Sequence, residues 1–169
     1  YRSEVLDKEG YMEELEKTES KEVYERLLGK IVVVGTYLKR RKNLTLTLHN
    51  EKNENREALK TEDLIQSLAE SCMALKLCKI RALYYVNIQN LEFHDEELIK
   101  CYDYFEWLVE QLFDRMQMIF FRVVEMEAHL IISVNVISEN DVYALLSGQY
   151  GAEVEQEDEK EWLIRCRIL

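Results

Sequence analysis

Two acidic side chains, Glu106 and Glu110, have the residue type and spacing that could support chemistry. They are four positions apart in a stretch with helical periodicity, so they lie one turn apart on one helix face. Paired carboxylates can bind a divalent cation or act as an acid and a base. Such a site needs a converging histidine or a further carboxylate, and none is identifiable. A solvated, like-charged helix face is the competing interpretation.

Four cysteines and one basic run are the other chemically notable features. Cys72, Cys78, Cys101 and Cys166 are scattered without C-x-x-C spacing, which favours buried thiols in a reducing cytoplasm over disulfides or a zinc site. The basic run at 39–42 fits a solvated helix C-terminus, where cations are favoured, or a contact site for an acidic partner.

The composition indicates a folded protein that avoids polyanions. Hydrophobic residues make up 47% of the 169 residues, and 22 basic against 33 acidic residues give a net charge of −11. This charge repels nucleic acid and anionic membranes, and no apolar run reaches the roughly 18 residues of a membrane span. We therefore expect neither a nucleic-acid partner nor direct membrane insertion. The chain begins with Tyr1, so we expect it to be cut from a longer protein whose remainder holds a signal, a span or a sensor.

The two glutamates are carried by a helix predicted over 95–116. Asp95 is its start signal, two acids follow in the first turn, and an apolar stripe repeats at intervals of three and four. The stripe comprises Leu98, Tyr102, Phe105, Val109, Leu112 and Met116. Two strand-like runs follow the helix, so we expect it to lie across their sheet.

Two further helices are predicted before residue 80. One runs from Ser20 to about Arg41, after a possible coiled-coil lead-in, and one runs from Thr61 to about Leu77. NLTLTL, at 43–48, is either a strand or the last turns of the first helix, and a polar loop follows it. Helices joined in this way form an antiparallel hairpin whose apolar seams favour pairing with a second copy as a four-helix bundle.

From Ile80 the element order is β-α-β-β-α-β-β. Alternation predicts strands at 80–88, 119–127 and 129–137, a short helix capped by Ser138 with Asp141 at its third position, and a closing hairpin around the acidic turn EDEK. Gly148 and Gly151 are expected to serve as turn glycines. The fold class is therefore α+β, with helices against one mixed or antiparallel sheet.

A helical hairpin followed by this layer resembles the cytoplasmic core of sensor histidine kinases of the two-component type. The resemblance divides the chain into a dimerisation hairpin with its lead-in at 1–79 and a histidine-kinase-like ATPase domain at 80–169. It implies a two-layer α/β sandwich for the second part. The final stretch, LLSGQYGAEVEQEDEKEWLIRCRIL, resembles the last helix, turn and hairpin of that family.

The phosphoacceptor motif of the family, His-Asp-x-Leu-Gly, is degenerate here. Leu28-Gly29 stands for its Leu-Gly end, which puts Glu25 at the histidine position and Arg26 at the aspartate position. A carboxylate cannot replace that imidazole. The nearby His49, in TLHNEK, is either a weak phosphoacceptor candidate or an exposed loop residue.

The ATP-binding motifs are degenerate as well. The magnesium-binding helix of the family carries Glu-x-x-x-Asn and often ends in His-Ala; here Glu106 fits, Glu110 replaces the asparagine, and Asp114 and Arg115 replace His-Ala. The Asp-x-Gly-x-Gly motif is absent from VNVISEND, and 137–148 has room for only one short helix in place of a nucleotide lid. The resemblance thus makes the acidic pair the remnant of a magnesium site.

The resulting functional hypothesis is a non-catalytic, pseudokinase-like signalling module. We expect it to act as a homodimer through conformational change, with a protein partner of the response-regulator type and no cofactor. We expect it in the cytoplasm, by itself or as part of a membrane-anchored sensor. One alternative is an active histidine autokinase that uses ATP and Mg²⁺. Another is an α+β domain that binds a small ligand, with Tyr84, Tyr85 and Trp107 as candidate stacking aromatics.

Overall fold

The computed structural model describes residues 8–17, 20–50, 59–89 and 95–168, which form helices against one sheet. The helices are α1 (Lys8–Lys17), α2 (Lys21–Asn50), α3 (Thr61–Leu77), α4 (Asp95–Leu112) and α5 (Val142–Leu146). The strands are β1 (Arg81–Asn87), β2 (Met116–Met126), β3 (His129–Ser138), β4 (Glu153–Gln156) and β5 (Glu161–Ile168). The predicted β-α-β-β-α-β-β order is confirmed. Within the described ranges, no helix combines the length and hydropathy needed to cross a membrane.

The long helix α2 and the helix α3 form the predicted antiparallel hairpin. NLTLTL belongs to α2, which continues to Asn50, so the helical alternative is correct. The basic run therefore lies inside a helix, and its interpretation as a solvated helix end is wrong. Arg40 forms an ion pair with Glu70 of α3, and Arg41 Nε lies 2.7 Å from Asp103 Oδ1 of α4. The expected loop at 51–58 lies outside the described residues.

The sheet is mixed and five-stranded, in the order β1-β2-β3-β5-β4. Strands β1 and β2 are parallel, so α4 is the crossover between them, and the other neighbours are antiparallel. The β2–β3 turn is made by Glu127 and Ala128, with φ of 50° and 61°. Positive φ at both positions suits the twist of a two-residue hairpin.

The segment between β3 and β4 is short, as predicted, but its capping residue differs. Ser138 is the last residue of β3, and its hydroxyl donates to Arg115 O at 2.9 Å, so its prediction as the helix cap is wrong. Asp141 caps α5 instead, accepting from Ala144 N at 3.0 Å. Gly148 and Gly151 have φ of 76° and 67°, which confirms them as turn glycines.

Helix α4 occupies the middle of the molecule, between the sheet and the hairpin. On the sheet side, Phe105 meets Phe121 edge to face with ring centroids 5.1 Å apart. On the other side it contacts α2 and α3. One cluster of buried apolar side chains runs from Val33 to Ile168. The division into 1–79 and 80–169 remains a prediction, because this core crosses it.

Candidate functional site

The acidic pair on α4 is buried. Glu106 is 5% exposed and Glu110 is 6% exposed. Their interpretation as a solvated helix face is wrong, because the α2–α3 hairpin packs over the side of α4 that was expected to face water. A burial of this kind requires hydrogen bonds or a change of protonation state, since an isolated carboxylate is costly to remove from water.

Glu106 obtains its hydrogen bonds from two hydroxyl groups. Ser71 of α3 donates from Oγ to Glu106 Oε1 at 3.0 Å, and Ser71 Oγ lies 2.9 Å from Tyr102 OH. The Tyr102 side chain also hydrogen-bonds Glu106. Tyr102 precedes Glu106 by one turn of α4, so helix geometry brings the two together. We call Ser71, Tyr102 and Glu106 the polar triad.

Burial dominates the electrostatics of the triad. It raises the pKa of Glu106 from 4.5 to about 8, against the opposing effect of hydrogen bonds from Ser71 and Tyr102. The nearby carboxylates of Asp103 and Glu110 raise this pKa further. Burial and the Glu106 charge also raise the pKa of Tyr102. Near neutral pH the triad therefore holds mainly a neutral carboxyl group, which can donate as well as accept a hydrogen bond.

Polar and aromatic contacts also connect helix α2 of the hairpin to α4, next to the triad. The rings of Tyr37 and Tyr102 lie 5.9 Å apart, and the ion pair of Arg41 with Asp103 joins the same two helices. Burial raises the pKa of Asp103, and the Arg41 guanidinium opposes this shift.

Asp114, predicted at a degenerate nucleotide-binding position, forms a second ion pair with helix α2. Its Oδ2 lies 2.6 Å from the Lys30 ammonium of α2. That ammonium is also 5.2 Å from the centroids of the Tyr11 and Phe113 rings. A buried cation with one carboxylate and two ring faces is a satisfied structural group. Asp114 is therefore engaged within the chain.

The arrangement is a poor fit to magnesium and a polyphosphate. The Glu106 carboxyl group is only 5% exposed, and it already accepts a hydrogen bond from Ser71 of α3, so it is not an open ligand position. Among the residues that the structure describes, no group of three or more His, Cys, Asp or Glu side chains is placed to hold a metal ion. What the triad can do is hold two helices together through a proton-dependent set of hydrogen bonds.

The phosphoacceptor candidates lie elsewhere on α2. Glu25 is exposed in its first turns, 3.9 Å from Lys21, and Arg26 is exposed beside it. Gly29 has a packing role: a Cβ atom there would lie 2.6 Å from Cys78 Sγ. His49 lies in the last turn of α2, so its interpretation as a loop residue is wrong, and its side chain is outside the description.

Sequence reasoning missed Ser71 and the second buried side of α4. The signal was a serine within the apolar stripe of α3, where Leu68, Cys72 and Leu75 are buried. Polar residues inside such a stripe need partners from a facing element. A second apolar series on α4, at Cys101, Tyr104 and Leu108, likewise indicates a helix buried on both sides.

Comparisons with known proteins give similarities in three-dimensional arrangement. No family model matches the sequence, and no curated protein matches it. The Acinetobacter baumannii histidine kinase AdeS aligns with a TM-score of 0.46 and 8% identity, covering 95% of this chain and 92% of that chain. The histidine kinase domain of the Erythrobacter litoralis blue-light activated histidine kinase EL346 aligns with a TM-score of 0.47 and 11% identity. This alignment covers 95% of this chain and 93% of that chain.

Histidine kinase ThkA, in a crystal structure with the response regulator TrrA, aligns with a TM-score of 0.37 and 12% identity, covering 95% of this chain and 56% of that chain. At these values the likeness assigns no role to any residue of this chain. All three of these solved structures are histidine kinases.

Proposed function

We propose that this chain is a non-catalytic signalling module of the two-component sensor type, acting through dimerisation and conformational change. The observation that carries this proposal is the burial of Glu106 and Glu110, with Ser71 of the hairpin hydrogen-bonded to Glu106. The resemblance assigns these two positions to magnesium and nucleotide binding. A nucleotide would have to displace α3 and break the hydrogen bond from Ser71 to Glu106 before it reached them.

The segment after β3 supports the same proposal. Only 14 residues, at 139–152, separate β3 from β4, and they form α5 with a short turn on each side. A lid that closes over phosphates needs a flexible loop and backbone amides free to bind them. Here the Ala144 amide already donates a hydrogen bond to the Asp141 side chain, and Val142 and Leu146 are buried in the core.

Isothermal titration with ATP and Mg²⁺ measures whether the chain binds a nucleotide, which catalysis would require. We expect no saturable heat, and the same result for Glu25→His, because restoring the phosphoacceptor residue does not restore a nucleotide site. Micromolar binding would contradict the proposal. Acid-labile phosphate on the wild-type protein after incubation with labelled ATP, lost in His49→Ala, would establish the autokinase alternative instead.

The proposed dimer interface is an apolar series on α2 that is exposed or half-buried among the described residues. Tyr24, Leu28, Ile31, Gly35 and Leu38 repeat at intervals of four and three, which is the period of a helix-packing seam. Tyr24, Leu28 and Leu38 are 45%, 43% and 46% exposed. On α3, Met73 and Leu77 are also exposed, one turn apart. Exposed apolar series of this kind mark protein interfaces.

Light scattering tests the dimer. We expect a dimer for the wild-type chain and a monomer for Leu28→Glu combined with Leu38→Glu, since two buried charges in each seam oppose association. Tyr143→Glu, at an exposed apolar position on α5, is the matched control and should stay dimeric. A monomeric wild type at tens of micromolar would refute the four-helix bundle and leave the fold intact. The response-regulator-type partner remains a prediction from the resemblance.

A further inference from the structure

Helix α1 folds back along α2 and does not extend away from it. The Tyr11 ring centroid lies 5.2 Å from the Lys30 ammonium, although the two residues are 19 positions apart in the sequence. In one continuous helix they would be separated by about 28 Å along the axis. Helix α1 ends at Lys17, α2 begins at Lys21, and the two helices are in contact. Helix α1 therefore lies antiparallel to the first turns of α2.

The first turns of α2 extend past the end of α3. Helix α3 ends at Leu77, and the next residue, Cys78, lies opposite Gly29, where an added Cβ atom would be 2.6 Å from the Cys78 sulfur. Residues 21–28 of α2 are therefore beyond the reach of α3. Leu27 is nevertheless only 2% exposed. Helix α1 packs on α2 at this level, so it supplies a cover that α3 cannot.

Lys30 is the residue at which α1 meets the end of α4. Its side chain is 7% exposed, and its ammonium lies 2.6 Å from Asp114 Oδ2 and 5.2 Å from the centroids of the Tyr11 and Phe113 rings. Phe113 and Asp114 directly follow α4. A cation that leaves water needs groups that replace its hydration. Through Tyr11, α1 supplies one of the three groups that do so here.

Helix α1 itself is weakly held. Among its described side chains, Tyr11 and Leu15 are half-buried, and the others from Gly10 to Lys17 are exposed. A helix of ten residues is too short to be stable alone in water, and Gly10 lowers its helix propensity further. Its order therefore depends on one row of contacts with α2. Elements with few buried apolar contacts open at a lower free energy than the core of the same protein.

We propose that α1 is a releasable strap. In its closed position Tyr11 covers the Lys30 ammonium, and in its released position this ammonium and Leu27 become accessible to water while the sheet stays folded. Because Lys30 also pairs with Asp114, release loosens the contact between α2 and the end of α4. A partner that binds only the released α1 shifts the equilibrium toward this state. The strap thus provides a regulatory input at the start of the hairpin.

This inference goes beyond the proposed function and does not rest on it. Micromolar ATP binding would overturn the proposed function and leave the strap unchanged. A strap that failed its test would leave the burial of Glu106 and the exposed apolar series on α2 as they are. The accessibility of Lys30 is therefore the quantity to measure, since neither the titration with ATP nor light scattering reports it.

A short pulse of N-hydroxysuccinimidyl acetate, followed by mass spectrometry, measures how often the Lys30 ammonium becomes accessible. Lys21, whose side chain is 90% exposed, is the internal reference, and we expect Lys30 of the wild-type chain to react much more slowly. Tyr11→Ala should raise the Lys30 rate by about tenfold, since one ring face on a desolvated cation is worth roughly that factor. Tyr11→Phe keeps the ring face, so most of the protection should remain.

A matched control and a second measurement separate release of the strap from general loss of stability. Met12→Ala changes a neighbouring side chain that is 48% exposed, and it should leave the Lys30 rate unchanged. In native-state hydrogen exchange, the amides of α1 should open at a lower free energy than those of β3, and Tyr11→Ala should lower the protection of α1 and not that of β3.

Four results would each overturn the inference. The first is an equal Lys30 rate in the wild type and in Tyr11→Ala, and the second is an equal rate in Tyr11→Phe and Tyr11→Ala. The third is exchange of the α1 amides only together with those of β3, which would make α1 an integral part of the core. The fourth is exchange of the α1 amides as fast as in an unstructured peptide, which would mean that α1 does not dock.

Discussion

The raised pKa of Glu106 makes one substitution especially informative. Glu106→Gln keeps the size of the side chain and an oxygen that accepts from Ser71, and it removes the proton that the carboxyl group exchanges. The folded chain holds that proton up to about pH 8, whereas an unperturbed glutamate loses it near pH 4.5. Between these values the native state binds one more proton than the unfolded state, so stability falls as pH rises.

The size of the effect follows from the shift. One pKa unit corresponds to about 1.4 kcal/mol, so a shift from 4.5 to about 8 costs the native state at most about 5 kcal/mol once Glu106 is ionised. The free energy of unfolding of a domain is about 5–15 kcal/mol, so this is a large fraction of it. Asp103, Glu110 and Arg41 also face this region from α4 and α2, and they are the same residues in both proteins, so the difference between wild type and variant isolates Glu106.

Urea denaturation across pH 5 to 9 measures that difference. At the acid end we expect Glu106→Gln to match the wild type or to be less stable by about 1 kcal/mol, because the extra amide hydrogens need acceptors. Toward the alkaline end the variant should become the more stable protein, by up to several kcal/mol. Glu25→Gln, an exposed glutamate on α2, should show no such crossing. A difference between Glu106→Gln and wild type that stays constant over the whole range would refute the buried, protonated carboxyl group.

Two further predictions concern packing and the thiols. Gly29→Ala should lower the free energy of unfolding by about 1–3 kcal/mol, because its Cβ would lie 2.6 Å from Cys78 Sγ, and adding Cys78→Ala should recover most of the loss. Gly35 has no atom within 4 Å of an added Cβ, so urea denaturation of Gly35→Ala should show unchanged or higher stability; equal effects at both glycines would contradict the close crossing. Burial raises the pKa of Cys72 to about 12 and that of Cys78 to about 11, so both should react slowly with iodoacetamide at pH 8 until the chain is unfolded. Mass spectrometry of trapped samples checks this, and rapid labelling of native Cys72 would contradict its burial.

The elements were predictable from the sequence because each has a local signal. The apolar stripe of α4, the alternation in β3 and the paired positions of the closing hairpin depend on neighbouring residues only. NLTLTL was ambiguous because alternation of leucine and threonine over six residues fits a strand, while the absence of proline or glycine lets a helix continue. The cap of α5 was misassigned by three residues, since Ser138 and Asp141 are equally good capping types.

The state of Glu106 was not predictable in the same way. Spacing placed Glu106 and Glu110 together correctly, but it could not show that Ser71, 35 positions before Glu106, would hydrogen-bond to Glu106. Exposure depends on which elements pack against each other, and that is a long-range property. The surroundings of Arg122 were not predictable for a related reason, because only strand register reveals that its neighbours are Ser133 and Tyr85.

The α2–α3 hairpin has an inner face that packs on α4 and an outer apolar face. Its inner face, with Tyr37 and Ser71, is bound to α4 through side chains whose hydrogen bonds depend on a proton. Its outer face, with Leu28 and Leu38, is apolar, and these two side chains are 43% and 46% exposed among the described residues. A force that rotates α2 or α3 in an assembled bundle would act on the outer face and strain the inner one. Because Glu106 is only 5% exposed, loss of its Ser71 hydrogen bond within the core carries a cost of about 1–3 kcal/mol. The triad thus joins α3 of the hairpin to α4, and the proposed action through conformational change requires such a link.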